Sequence, residues 1–423
     1  MKKINTAPLS GMQELLPDAQ VNFNNLKNII RDTYESHGFL SIETPMIDRT
    51  EILLAKAGGD TEKQIYKVFK TAENGENADQ ALRFDHTVPL ARYVVEHEND
   101  LVFPFKVAQI GQNFRGERAQ KGRFREFYQC DVDVVGRDNL PLFYDADVIS
   151  TLLDTYKKFG LKTSVVARIS NRKILSGLIE EFGSTVKADD IFSIIDHSEK
   201  VPTEKTEGAF DEIGLTTDQK NKMMDFININ GSKDEVDEKL KSLGIENECF
   251  SLGVKELTDV LRMLEADGYE NSIKADMKIV RGLDYYTGTV FEFNFPEYSQ
   301  VGSVGGGGRY ENLAGFFTDQ KLPGVGGSIG LSRLFYVLAE NNLMKSQIEK
   351  PIDVAVVPIT EDENDYAMKV AKGFREEGKK TTIIATDRKL GDKLKTASKI
   401  AKSAIVLGEN EVATGNYQVK VFE

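Results

Sequence analysis

The sequence predicts an α+β chain: a β-rich core interrupted by a helical insertion, then a small α/β domain. Three observations carry this. Strand-like runs occur at Phe103–Phe114, Glu126–Val135 and Ile273–Phe295. Between the second and third, residues 171–270 alternate helical apolar spacing with polar connections. After Pro351, strand-like and helix-like segments alternate, the pattern of a small, partly parallel sheet. The working division is a core in two parts, 1–170 and 271–344, an insertion at 171–270 and an α/β domain at 350–423.

The elements follow in order. Phe23, Leu26, Ile29 and Ile30 recur three and four residues apart, so Asn22–Tyr34 is expected to be a first helix. Gly38–Pro45 turns into a strand that Pro45 ends or places at an edge. Leu82–Tyr93 starts as a strand and continues as a helix. The two strands Phe103–Phe114 and Glu126–Val135 bracket an arginine-rich hairpin, Arg115–Arg125. Helices are expected at Asn171–Gly183, Asp189–Asp196, Thr217–Asn228, Lys233–Leu243 and Glu256–Gly268. Lys278–Glu292, rich in Val, Tyr, Thr and Phe, reads as strand–turn–strand. Glycine-rich stretches at 302–308 and 324–330 precede a helix that runs to about Glu340. A polar linker, Lys345–Lys350, leads to strands at Val354–Pro358, Thr381–Ala385 and Ser403–Leu407, with helices near Asp365–Glu377 and Gly391–Ala401 between them.

Composition narrows the function. With 423 residues, 40% hydrophobic and 29% charged, the chain is ordinary globular protein, long enough for two or three domains. It holds no run of about 18 apolar residues, so no membrane span is expected. Two lysines near the start have no apolar stretch behind them, so no signal peptide is expected. Two cysteines, Cys130 and Cys249, suit a reducing cytoplasm better than a disulfide framework. The histidines at 37, 86, 97 and 197 are scattered, so no structural metal is expected. A net charge of −13 disfavours nonspecific coating of nucleic acid. Local basic segments remain: Arg115–Arg125, and the stretch holding Lys389, Lys393, Lys395, Lys399 and Lys402, which is either a contact surface or a solvated helix face.

Several segments could carry chemistry. Arg281, Asp284, Tyr285 and Tyr286 stand within six residues, with Gly282 and Gly288 allowing close backbone approach. They suit a small polar, partly aromatic ligand beside an anion, or else pack as a structural ion pair and core tyrosines. Arg115, Arg118, Arg123 and Arg125 could aim planar guanidinium groups at phosphate, or could keep an exposed hairpin soluble. Gln129, Asp131 and Asp133 share one strand face by period two, either lining a pocket or facing water. Asp85 or Thr87 could cap the following helix, or Asp85 could receive a ligand's ammonium group. His86 between them reads as structural. Neither glycine run has the spacing and ribose partner of a dinucleotide fingerprint. The second could instead let a strand lie close under a base, with Arg333 reaching the nucleotide, or form a packed junction.

Taken together these segments resemble the class II aminoacyl-tRNA synthetases, specifically the histidyl-tRNA synthetase family. The resemblance runs from about Ser10 to the C-terminus. Gly38–Pro45, Phe114–Phe127 and Gly326–Leu334 are similar to the three class motifs. Arg281–Tyr286 and Gly306–Tyr310 are similar to two histidine-specific motifs. The resemblance implies an antiparallel-sheet catalytic core, a homodimer formed through the first motif, and a C-terminal anticodon-binding domain. It implies histidine–tRNA ligase activity in the cytoplasm on L-histidine, ATP with Mg2+ and tRNA(His), with no structural metal. Arg115 would bind the ATP α-phosphate and Arg333 the γ-phosphate side and adenine. Asp85 and Gln129 would receive the histidine α-amino group, with Thr87 nearby, and Asp133, Tyr285 and Tyr286 would surround the imidazole. Arg281 would be the catalytic cation, with Arg115, and Arg123 would touch the tRNA acceptor end. Asp85 and Asp133 stand where relatives often have glutamate, Glu311 replaces a common aspartate, and the last element of the anticodon domain is expected to be short. A second reading is the noncatalytic, histidine-sensing regulatory subunit of ATP phosphoribosyltransferase, which lacks that domain and part of the nucleotide motifs.

Overall fold

The structure, a computed structural model, describes residues 4–55, 59–70, 79–183, 186–280, 286–312, 314–344 and 350–422. The chain divides into two units, one of residues 1–13 and 26–345 and one of residues 14–25 and 346–423.

Helix α1 (Pro17–Ser36) starts more than a turn before the apolar spacing does. Pro17 explains this, since its fixed φ and missing N–H suit the first helical position. The first class motif contributes only a short strand, β1 (Leu40–Ser41), which pairs parallel to a later strand. Strands β2 (Ile47–Arg49), β3 (Lys67–Val68) and β4 (Gln80–Leu82) form a separate antiparallel sheet in the order β2–β4–β3. Helices α2 (Thr50–Leu53) and α3 (Gly59–Gln64) connect them, and α4 (Thr87–Glu96) follows.

Next comes a ten-residue hairpin, β5 (Phe105–Phe114) and β6 (Glu126–Val135), paired from Phe105↔Val135 to Phe114↔Glu126. Helix α5 (Phe143–Lys158) leads to β7 (Val166–Asn171). The insertion is helical: α6 (Arg172–Glu181), α7 (Ala188–His197), α8 (Thr203–Glu212), α9 (Thr217–Ile227), the two-residue strand β8 (Asn230–Gly231), α10 (Lys233–Ser242) and α11 (Glu248–Ala266). Helix α8 gave no recognised signal in the sequence, and α11 begins two turns before its expected start. Asn247 caps α11 by accepting from the Phe250 N–H at 2.9 Å and reaches α6 by donating to the Gly177 carbonyl at 2.7 Å. The two helices approach through Gly253, where a Cβ would meet Ile174 Cγ1 at 2.8 Å.

Strands β9 (Ile273–Asp276), β10 (Tyr286–Asn294), β11 (Gly305–Tyr310) and β12 (Gly324–Ile329) complete a nine-stranded sheet, and α12 (Leu331–Glu340) follows. The order is β1–β5–β6–β12–β11–β10–β7–β9–β8. All neighbours are antiparallel except β1–β5 and β7–β9. Of Lys278–Glu292, expected as strand–turn–strand, residues 286–292 lie in β10, residues 278–280 form no strand and residues 281–285 lie outside the described residues; the preceding strand β9 does not pair with β10, because β7 lies between them. The insertion supplies the physical reason. A parallel β7–β9 pair needs a long crossover, and α6–α11 provide it.

One face of the sheet is covered by α1 and α5. Tyr34, on α1, is fully buried and donates to the Cys130 carbonyl at 2.9 Å. Leu152 and Tyr156, on α5, are buried too, and Tyr156 donates to the Val304 carbonyl at 3.1 Å. A second apolar group, Leu90, Ala91, Val94, Phe105, Val107, Val135, Leu322 and Tyr310, packs α4 against the hairpin.

In the other unit, β13 (Ile352–Pro358) pairs parallel with β14 (Thr381–Ile383) and with β15 (Ala401–Leu407), and β16 (Val419–Val421) joins β15 antiparallel. Helices α13 (Asn364–Glu376) and α14 (Leu390–Ile400) make the crossovers, and α15 (Glu409–Thr414) precedes the three-residue last strand. Lys393 does not belong to an exposed lysine face. It is 3% exposed and donates to the carbonyls of Pro358 at 2.9 Å and Ile359 at 3.2 Å. Lys389, Lys395, Lys399 and Lys402 are exposed.

Candidate active site

The centre of the large sheet has almost no side chains. In register, Gly306 faces Ser328, Gly307 faces Gly327 and Gly308 faces Gly326. Glycine is needed for close approach. A Cβ on Gly327 would meet Leu152 Cδ1 at 2.6 Å, and one on Gly326 would meet Asp133 Cγ at 2.6 Å. On the Asp133 face the sheet borders a cavity of about 290 Å3. Asp85, Thr87, Arg115, Gln129, Asp131, Asp133, Tyr286, Glu292, Ser303, Tyr310 and Ser328 supply its polar walls.

Strand β6 places three of these by its pleat. Gln129, Asp131 and Asp133 all line the cavity, so the period-two face of the sequence is a pocket wall. Asp133 is 4% exposed and its Oδ1 accepts from the Tyr310 hydroxyl at 3.1 Å. Burial, and then the neighbouring Asp131, push its carboxyl up to about 8. Asp131 uses both oxygens: Oδ2 is 3.1 Å from His86 Nδ1 and Oδ1 accepts from the Ser328 hydroxyl. Gln129 donates from Nε2 to Ser328 Oγ at 3.0 Å and accepts from Asn113 Nδ2 at 2.8 Å.

Asp85 does two things at once. Its Oδ1 accepts from the Val88 N–H at 3.0 Å, closing the first turn of α4, and it lines the cavity. Burial raises its pKa. Thr87, the first residue of α4, lies beside it on the wall. Arg115 begins the arginine hairpin. Its guanidinium lies 4.4 Å from the Phe84 ring centre and 5.1 Å from that of Phe127, and Nε donates to the Phe84 carbonyl at 3.3 Å. Sandwiched between rings, it is held at the cavity edge with nitrogens left for an anion.

Arg333 and Arg123 are not cavity-lining residues. Arg333 donates to the Val301 carbonyl at 2.5 Å, and burial, with Arg123 next, lowers its pKa. Arg123 is exposed, 3.5 Å from Glu117. Of the adjacent phenols, Tyr286 lines the cavity, whereas Arg281 and Tyr285 lie outside the described residues. The site therefore gathers Asp85, Thr87, Arg115, Gln129, Asp133 and Tyr286, and leaves Arg333 and Arg123 nearby but apart.

Sequence reasoning gave no role to Tyr310, Ser328 or Glu292, and none to Asp131. Asp131 had a signal, since it shares the face of Gln129 and Asp133. Tyr310 ended a glycine run whose meaning appears only when β11 pairs beside β12. Arg309, one residue earlier, points the other way. It is 7% exposed, donates to both oxygens of the fully buried Asp145 at 3.0 and 3.1 Å, and donates to the Leu140 carbonyl at 3.0 Å.

Comparison with known proteins gives the family. Residues 11–334 match the family model described as histidyl-tRNA synthetase, and residues 353–423 match an anticodon-binding domain. The chain is 44% identical to a histidine–tRNA ligase of Clostridium tetani, covering 100% of this chain and 96% of that one. A solved histidyl-tRNA synthetase from a Nostoc species superposes with a TM-score of 0.88 at 36% identity, covering 99% of this chain and 97% of that one. A Bacillus halodurans structure titled as an ATP phosphoribosyltransferase regulatory subunit/histidyl-tRNA synthetase superposes at 0.80 with 20% identity, covering 96% and 99%, and so shares the fold. The chain belongs to the histidyl-tRNA synthetase family.

Proposed function

We infer that the chain is a histidine–tRNA ligase: it joins L-histidine to ATP as histidyl-adenylate with release of pyrophosphate, then passes histidine to tRNA(His). The observation that carries this reading is one cavity with Arg115 at its edge and Asp85, Gln129, Asp133, Tyr286 and Tyr310 within it. Asp85 and Gln129 receive the α-ammonium group. Asp133, Tyr285, Tyr286 and Tyr310 surround the imidazole. Arg115 and Arg281 neutralise charge at the α-phosphate, Arg333 takes the γ-phosphate side and adenine, and Arg123 meets the acceptor end of the tRNA. ATP enters with Mg2+ as its counter-ion.

The nucleophile is a carboxylate, so no proton has to be removed from it. Its oxygen bonds to the α-phosphorus as the bond to the pyrophosphate oxygen breaks. Catalysis then reduces to in-line placement and charge neutralisation, which preorganised arginines supply without a general base. The second step moves the acyl group from the phosphate oxygen to a ribose hydroxyl of tRNA. The protein works in the cytoplasm as a homodimer, consistent with the exposed Leu40, Met46 and Ile47 in and beside the first class motif. We divide the chain into core parts 1–170 and 271–344, insertion 171–270 and anticodon domain 350–423. The matched anticodon-binding segment and the presence of Arg115 and Arg333 favour the ligase over the regulatory reading.

A histidine-dependent ATP–pyrophosphate exchange assay tests this on the full chain and on a chain ending at about Lys350. Both should form adenylate, but the short form should charge tRNA poorly. Its affinity for tRNA should also fall less steeply with salt, because exposed lysines beyond Lys350 no longer contact phosphate. No exchange by the full chain overturns the ligase reading. Unchanged charging by the short form overturns the role given to the last domain.

A further inference from the structure

His86, set aside as structural on sequence grounds, has a specific partner. It is 1% exposed, at the entrance of α4, with Nδ1 3.1 Å from Asp131 Oδ2. A carboxylate can only accept, so Nδ1 is the donor in that contact. The other nitrogen, Nε2, is buried with no hydrogen-bond partner among the described residues. Leaving a buried ring nitrogen unsatisfied is unfavourable, and an apolar side chain filling the same volume would avoid it. The imidazole contributes something else, and among the described residues the one hydrogen bond of its ring is with Asp131.

From Asp131 the contacts continue in series. Its second oxygen accepts from Ser328, whose Oγ accepts from Gln129 Nε2 at 3.0 Å. Gln129, a cavity-lining residue, donates from its amide nitrogen to Ser328, while its oxygen accepts from Asn113 at 2.8 Å and keeps a further lone pair. Among the groups facing His86 are Asp131, Asp85, Arg83 and Gln109. Gln109 Nε2 donates to the His86 carbonyl at 3.3 Å. Arg83 is fixed by the carbonyls of Thr44 at 2.7 Å and Gln112 at 2.8 Å. A Cβ on Gly111 would strike Arg83 Nη2 and lie 3.2 Å from His86 Nε2, so both groups abut the bare backbone of β5.

We propose that His86 is a positioning residue for the ammonium-binding end of the cavity, acting through Asp131 and Ser328 on the amide of Gln129. The inference rests on the assignment of Asp85 and Gln129 to the histidine ammonium group. It accounts for Asp131 as well: this carboxylate, beside Asp85 and Asp133, is held by two donors and acts on Gln129 without itself binding ligand.

The test uses full-length protein and histidine-dependent pyrophosphate exchange. His86→Leu removes the donor to Asp131; His86→Asn restores one where Nδ1 stood. His86→Leu should raise the histidine KM by about tenfold, the scale of one lost buried hydrogen bond, while the ATP KM stays within about twofold. His86→Asn should recover most of the loss. Imidazolepropionate, which lacks the amino group, should inhibit wild type and His86→Leu with the same Ki. An unchanged histidine KM in His86→Leu, no recovery in His86→Asn, or a Ki that rises in step with the histidine KM overturns the inference. Should His86→Leu fail to fold, Ser328→Ala cuts the same series and is decided by the same KM and Ki outcomes. Asp85→Asn separates the two levels. If it leaves the histidine KM unchanged, the cavity assignment fails. If it raises the KM while His86→Leu does not, the His86 inference alone fails.

Discussion

Replacing Asp133 by Asn should flatten the pH dependence of stability. Asp133 sits 4% exposed on β6, and burial beside Asp131 raises its carboxyl from 3.8 to about 8, against the opposing pull of the Tyr310 hydroxyl. Unfolded, the group ionises near 3.8; folded, it keeps its proton to about 8. Within that window the folded state holds more protons than the unfolded one. Its stabilising contribution is therefore complete below the unfolded value and is lost as pH rises through the folded value. One pKa unit is about 1.4 kcal/mol, so from about pH 5 to pH 7 wild type should lose on the order of 3 kcal/mol relative to D133N. Coupling to Asp131 and water entry reduce this, and a loss of about 1 kcal/mol is the floor the argument requires. The chain has no Trp, so urea unfolding is best followed by far-UV circular dichroism at several pH values. If the two proteins' stabilities run parallel across the window, to within about 0.5 kcal/mol, the reasoning about a buried, proton-holding Asp133 is wrong.

Three further outcomes are expected, the first from the role proposed for Arg281 and the other two from the geometry. Arg281→Ala should slow adenylate formation by about 2.7–4 kcal/mol of transition-state stabilisation, with histidine binding weakened less; exchange kinetics near wild type would contradict its catalytic role. Arg309→Ala should cost about 3–5 kcal/mol in urea unfolding, because it strands the fully buried carboxylate of Asp145, which is 0% exposed. Gly326→Ala should raise the histidine KM and cost about 1–3 kcal/mol of stability, as expected for overpacking. Its Cβ would fall 2.6 Å from Asp133 Cγ and 3.0 Å from the Val132 carbonyl. A variant as stable as wild type with unchanged KM would show that β12 can move aside.

The sequence by itself determined what depends on local period and local chemistry. The α+β class, the hairpin β5–β6, five helices of the insertion and the alternating elements after Pro351 were legible because each is set by spacing within a dozen residues. So was the face of Gln129, Asp131 and Asp133, which the pleat of one strand dictates. Motif order supplied Asp85, Thr87, Arg115 and Tyr286. Tertiary structure decided the rest, because the rest depends on partners far apart in the chain. That β7 lies between β9 and β10 follows from a parallel pairing across a crossover of about a hundred residues, which no local pattern encodes. The glycines of β11 and β12 became a cavity floor only when paired in register beside β6. Arg309 and Tyr310, adjacent in sequence, were sent to opposite faces, one to Asp145 and one to Asp133. The partner of His86 stands 45 residues away on another strand. Lys393, one of five lysines in a basic segment, was drawn inward, where its ammonium donates to the carbonyls of Pro358 and Ile359 at the end of β13.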